Sequence, residues 1–204
     1  DPANEAAPFV VKDSIRFETN GSRQFVNLMA WGRDANFYKN ETIKGNVTWD
    51  STRAHVIFGS LRIDTAASLT LLPGTKVYFH MGSYLAVSHQ GSLKALGTLD
   101  HKISFQGDRL DYFYRDLPGQ WQCIFLEKGS FGHQFENVMI KNGVNGILVD
   151  QVTELSPPML TLKNCIIRNM SSTGLYAYGS SVEGTNCLIA DCGRACLDLT
   201  FGGS

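Results

Sequence analysis

The chain has 204 residues, which fits one medium domain or one domain plus a fragment. Eighteen Lys and Arg face nineteen Asp and Glu, a formal charge of −1. That balance gives no footprint for nucleic acid and no polybasic patch for a membrane surface, and no apolar run is long enough for a transmembrane helix. The chain opens at Asp1-Pro2-Ala3 without an initiator Met or a signal peptide, so it is read as a mature or trimmed form.

Residues 1–50 obey no repeat. Ser14-Ile15-Arg16-Phe17 and Phe25-Val26-Asn27-Leu28-Met29-Ala30 alternate on either side of Thr19-Asn20-Gly21-Ser22. Asn-Gly between two alternating runs predicts a β-hairpin. A lone hairpin is marginal in water. This segment is therefore expected either to cap the domain C-terminal to it or to be the remnant of a β-sandwich domain.

Residues 51–204 carry an internal repeat. Asn164-Cys165-Ile166-Ile167-Arg168-Asn169 returns 22 residues later as Asn186-Cys187-Leu188-Ile189-Ala190-Asp191, and Asn137-Val138-Met139-Ile140-Lys141-Asn142 precedes them in the same form. Six short runs beginning at Leu61, Leu85, Ile124, Ile147, Leu175 and Leu197 are apolar at their first and third positions. That period of two marks a strand with one buried face. A second set contains Val77-Tyr78-Phe79, Ile103-Ser104-Phe105 and the three hexapeptides, and a third contains Leu69-Thr70-Leu71 and Leu160-Thr161-Leu162. Three short strands in each turn of about 22 to 26 residues cannot pair within that turn, so each must pair with its equivalent in the next. The expected fold is all-β, a right-handed single-stranded parallel β-helix with three strands per turn, preceded by the hairpin segment. A jelly roll also uses short alternating strands, but it does not produce Asn on Asn and Cys on Cys.

Gly59, Gly82, Gly146 and Gly174 precede first-set strands as corners. Asn137, Asn164 and Asn186 share one position and are expected to form a buried, inward-facing ladder bonded to turn backbone. The chain stops inside a repeat at Phe201-Gly202-Gly203-Ser204, which suggests further coils or a covering partner. The five cysteines (Cys123, Cys165, Cys187, Cys192, Cys196) read foremost as inert small apolar residues. A Cys192–Cys196 bridge and a stacked Cys165–Cys187 bridge stay open as alternatives. No Cys or His spacing makes a tetrahedral metal set, so no metal and no cofactor is expected.

The run Ala67-Ser68-Leu69-Thr70-Leu71-Leu72-Pro73-Gly74-Thr75-Lys76-Val77-Tyr78-Phe79 resembles a signature of surface β-helix proteins in Bacteroidetes. Gly107-Asp108-Arg109 with Pro118-Gly119-Gln120-Trp121 resembles a second segment of that group. Asp13 to Gly21 and Leu28 to Gly32 resemble the hairpin that precedes such helices. The broader resemblance is to the pectin-lyase-like superfamily. It implies an exported cell-surface protein of the bacterial outer membrane, with a lipid anchor upstream of this chain, and it implies no reaction.

Carbohydrate-active β-helices often work on an outer sheet face. Here one outward column reads Arg62, Ala86, Phe125, Leu148, Tyr176, Asp198, and the next reads Asp64, Ser88, Glu127, Asp150, Tyr178, Thr200. Glu127 and Asp150 become neighbours beside Tyr176 and Tyr178. Paired carboxylates can do acid–base work on a glycosidic bond, but no stacked basic residue is expected beside this pair. The segment Gln106–Gln120 breaks the repeat and carries Tyr112 and Tyr114, residues of a projecting loop where binding tends to sit. It is expected to pack over Phe125. The candidate binding residues are thus Glu127, Asp150, Tyr176, Tyr178, Tyr112 and Tyr114, with none catalytic. The leading expectation is a non-enzymatic surface module that binds or displays, toward polysaccharide or a host macromolecule. A polysaccharide lyase or glycoside hydrolase and a structural spacer are the alternatives.

Overall fold

The computed structural model describes residues 10–31, 35–150 and 158–201. The opening tripeptide, Gly32 and the terminal Gly202-Gly203-Ser204 lie outside the described residues. Two compact units are present, Asp1–Ala35 and Asn36–Ser204. Among the described residues the structure is all-β with no helix, and none is long and apolar enough to cross a membrane.

In the first unit, β1 (Val10–Thr19) and β2 (Ser22–Trp31) pair antiparallel around Asn20 and Gly21. Both turn residues have positive φ, 49° and 77°, as a two-residue hairpin turn demands. Ile15, Phe17, Val26 and Leu28 share one face of the ribbon and are exposed.

The second unit begins with β3 (Ala35–Ile43) and continues in triplets. The first is β4 (Asn46–Trp49) and β5 (Ala54–Ile63), the latter serving as two strands. Next come β6 (Ser68–Leu71), β7 (Lys76–Phe79) and β8 (Tyr84–Val87). The third is β9 (Ser92–Leu96), β10 (Ile103–Gly107) and β11 (Ile124–Leu126). The fourth is β12 (His133–Glu136), β13 (Val138–Lys141) and β14 (Ile147–Val149). The fifth is β15 (Leu160–Lys163), β16 (Ile166–Met170) and β17 (Thr173–Tyr178). The last is β18 (Val182–Thr185), β19 (Leu188–Cys192) and β20 (Ala195–Thr200).

Each strand pairs in parallel with its equivalent in the next triplet. One six-stranded sheet runs β4-β6-β9-β12-β15-β18. Strand β5 turns at Gly59 (φ 74°): His55–Ile57 pair with β7, whereas Ser60–Ile63 pair with β8. It thereby joins the series β7-β10-β13-β16-β19 to the series β8-β11-β14-β17-β20, and with β3 these make a twelve-stranded sheet. Because β4 pairs with β6 from Asn46 onward, the repeat begins earlier than residue 51. The units divide at Ala35/Asn36.

Alternation fixes what is buried. The inward positions Leu61, Leu85, Ile124, Ile147 and Leu175 stack in register and are at most 3% exposed. Burying a side chain of this size stabilises by about 1.5–3 kcal/mol. Phe79 stacks on Trp121 at 4.2 Å between ring centroids, and Phe105 lies 6.4 Å from Phe79 on the same measure. Trp121 also donates its indole N–H to Lys141 O at 2.9 Å, so its one polar atom is satisfied. In the last triplet Leu188, Leu197 and Leu199 are exposed, since it is paired on one side only among the described residues.

Gly59 and Gly82 have positive φ, as corners do, but two other glycines and the asparagines differ from expectation. Gly146 and Gly174 do not have positive φ; they are small because strands approach closely. A Cβ on Gly174 would lie 2.4 Å from Ile189 Cγ2 and 2.6 Å from Cys196 O. Asn137, Asn164 and Asn186 do share a left-handed backbone, with φ between 51° and 54°. Only Asn137 is buried, donating Nδ2–H to Gly97 O at 3.0 Å. The buried ladder on backbone therefore needs correcting at Asn164, which is half-buried, and at Asn186. Asn186 is exposed, and its amide bonds the Asn164 amide (2.7 Å), because no described strand stacks beyond it.

Candidate functional site

The two outward columns form as read from the sequence. In register stand Arg62↔Ala86, Ala86↔Phe125, Phe125↔Leu148, Leu148↔Tyr176 and Tyr176↔Asp198, and Tyr178 pairs with Thr200. Phe125, Leu148 and Tyr176 are half-buried neighbours along one face. The second column tracks the first because Ser88, Glu127 and Asp150 each donate their backbone N–H one triplet back, to Ile63, Val87 and Leu126. Glu127 and Asp150 therefore stand on adjacent strands. Tyr178 packs against Phe201 at 4.8 Å.

One expectation fails here. A basic residue does accompany the carboxylates: Arg62 Nη1 lies 2.5 Å from Glu127 Oε1 and 3.1 Å from Ser88 Oγ. The side chain is long enough to span an intervening strand about 4.8 Å away on each side. The Glu127 bond raises the Arg62 guanidinium above its ordinary pKa. Farther along, Arg194 bonds Asp198 and also donates Nε–H to Thr173 Oγ1 at 3.2 Å. The face is thus an aromatic and aliphatic stripe edged by paired charges.

The insertion between β10 and β11 is a folded loop. Tyr114 and Arg115 donate backbone N–H to Asp111 O, and Leu117 to Tyr114 O. Gln120 Nε2 donates to Tyr114 O and Leu117 O. A second asparagine ladder holds it in place. Asn142 Nδ2 donates to Arg115 O at 2.7 Å, and Asn169 Nδ2 donates to Asp116 O and to Asn142 Oδ1. Lys141 Nζ adds a bond to Arg115 O at 3.1 Å. These anchors lie at the end of β13 and within β16, so they give no support to the expectation that the insertion covers Phe125 on β11. Tyr112 is 77% exposed at the tip, while Tyr114 carries the Arg109 guanidinium 3.6 Å above its ring.

Between the insertion and β7 lies a cleft of about 220 Å³ lined by His80, Met81, Arg109, Tyr114, Leu117 and Pro118, among others. His80 Nδ1 is 2.8 Å from Oδ2 of Asp108, which is only 5% exposed. Sequence reasoning misses this pair for a definite reason. The apolar pattern aligns Val77 with Ile103, whereas the strands pair Val77↔Phe105 and Phe79↔Gly107. A slip of two leaves every side chain on its face. It therefore preserves the core pattern while separating His80 from Asp108, which sit directly after Phe79 and Gly107.

All five cysteines are free thiols. Burial pushes the Cys123 and Cys165 thiols up to about 11, which suits the inert reading. Among the described residues no three His, Cys, Asp or Glu side chains form a group that could hold a metal ion. No family model, curated protein or solved structure matches the chain.

Proposed function

We propose that the triplets are coils of a right-handed, single-stranded parallel β-helix, and that the protein is a non-enzymatic surface module that binds glycans along the outer face of β8, β11, β14, β17 and β20. Pairing of each strand with its equivalent in the next triplet supports the coil reading. Parallel connections within one sheet are right-handed in nearly all proteins, which supports the hand. The resemblance to exported surface β-helix proteins of Bacteroidetes supports the location at the cell surface.

The observation that carries the binding reading is the column Phe125–Leu148–Tyr176 beside Glu127 and Asp150. A solvated sheet face alternates apolar-in with polar-out, and this column departs from that rule over three consecutive strands. Contiguous outward apolar residues mark a binding or covered surface. A glycan suits it, since sugar rings offer C–H faces to aromatic side chains and hydroxyls to flanking carboxylates. The Arg62–Glu127 bond weighs against catalysis, because it ties up a Glu127 oxygen that a reacting group would need free.

A glycan array probed with the full chain tests this. Retention of extended oligosaccharides without new reducing or unsaturated ends is the expected result. Release of such ends replaces the reading with a hydrolase or lyase. Absence of retention on every glycan leaves the structural-spacer reading in its place.

A further inference from the structure

We propose that the cleft between His80 and the insertion is a second binding site, separate from the sheet face, which takes a single neutral sugar ring. For its ligand class this rests on the glycan reading above; for its location it rests on the cleft alone.

The cleft is built, in that both of its polar groups are pinned from behind. Asp108 is buried and donates its backbone N–H to Phe79 O at 3.0 Å, which fixes the carboxylate. With that carboxylate at Nδ1, the neutral His80 imidazole carries its proton there, leaving Nε2 as an acceptor. Phe58 packs against the imidazole at 4.7 Å and holds its plane. Arg109 lies on Tyr114 and gives Nε–H to Asp111 Oδ2 at 3.2 Å, so its remaining N–H groups are donors of fixed position. Met81, Leu117 and Pro118 supply apolar wall.

These groups define the ligand chemistry. One pinned acceptor and one pinned donor set suit a body that offers both a hydroxyl hydrogen and a hydroxyl or ring oxygen. The apolar wall suits C–H faces. With His80 in that neutral tautomer, Asp108 and Asp111 face only Arg109, so the cleft holds no surplus positive charge for an anionic ligand and a neutral one fits. A volume of about 220 Å³ suits an occupant of one ring. The fold also commits Asn142, Asn169, Lys141 and Gln120 to holding the insertion that forms the wall, which preorganises the site.

The test is saturation-transfer NMR of the full chain with methyl glycosides of neutral hexoses. His80→Phe keeps a ring against Phe58 and removes Nε2. Met81→Trp, at a position 80% exposed on the rim, narrows the mouth without touching the His80–Asp108 bond. At least one glycoside is expected to bind the native chain, to bind both variants roughly ten-fold more weakly, and to bind Tyr176→Ala as well as native. Absence of binding by every glycoside, or equal binding by native and Met81→Trp chains, overturns the cleft. Failure of the sheet face is read separately, from extended oligosaccharides and Tyr176→Ala.

Discussion

Arg62 and Glu127 belong to strands two triplets apart, yet Arg62 Nη1 meets Glu127 Oε1 at 2.5 Å across Ser88. The two side chains are 39% and 27% exposed, so water and salt screen the pair. Glu127→Gln should therefore lower stability by less than about 1 kcal/mol. The loss should shrink further at high salt. Urea denaturation at two salt concentrations measures both effects. A loss of several kcal/mol independent of salt is the contrary result.

The two asparagine ladders differ in burial, and substitution by glycine isolates the amide because glycine tolerates the left-handed backbone. Asn142 is 1% exposed with φ 69°, and its amide serves both Arg115 O and Asn169. Asn142→Gly should cost about 1–3 kcal/mol through partners left unmade. The exposed Asn186 should cost under about 1 kcal/mol when replaced in the same way. Denaturation midpoints of the two variants decide the order; the reverse order contradicts the placement of the ladders.

Two buried histidines predict an acid-side loss of stability. His133 accepts the Leu93 backbone N–H at Nδ1 and faces Ser130 Oγ through Nε2, and burial lowers its pKa from 6.5 to about 4. His55, stacked on Trp49 at 4.0 Å, is likewise lowered to about 4 by burial. Between pH 6.5 and 4 the unfolded chain binds more protons than the folded one at these groups. Their stabilisation is therefore full above about 6.5 and is lost as pH falls toward 4. Chemical denaturation at pH 7.5, 5.5 and 4.5 should show this decline, and His133→Gln should flatten it. A flat profile for the native chain is the opposing outcome.

Close strand approach sets a different sensitivity. Gly174→Ala forces a Cβ against Ile189 and the Cys196 carbonyl, and should cost about 1–3 kcal/mol. Gly184→Ala meets nothing within 4 Å and should cost under about 0.5 kcal/mol. Thermal melts of the two variants compare them directly. Equal melting temperatures contradict the packing of β17 against β20.

Much of this is legible in the sequence. The 22-residue return of Asn-Cys-x-Ile and the alternation at Leu61, Leu85, Ile124, Ile147, Leu175 and Leu197 specify parallel register, because each buried face constrains its neighbour. The outward column comes from that register. Side-chain reach and corner geometry escape it. Sequence places Arg62 at its own position, but its length carries its charge two strands away. His80 and Asp108 are hidden by a slip of two that period-two patterning does not detect. The insertion has no repeat to fix it, so its anchorage on Asn142 and Asn169 depends on tertiary bonds with no local signal.

Tyr176 stands between Leu148 and Asp198 on the proposed glycan face, and its substitution tests the central claim most directly. Isothermal titration calorimetry would compare the native chain with Tyr176→Ala, using the best-retained extended oligosaccharide from the array. The account predicts at least roughly ten-fold weaker binding, about 1.4 kcal/mol, with the melting temperature little changed. Unaltered affinity in a folded Tyr176→Ala chain would contradict it.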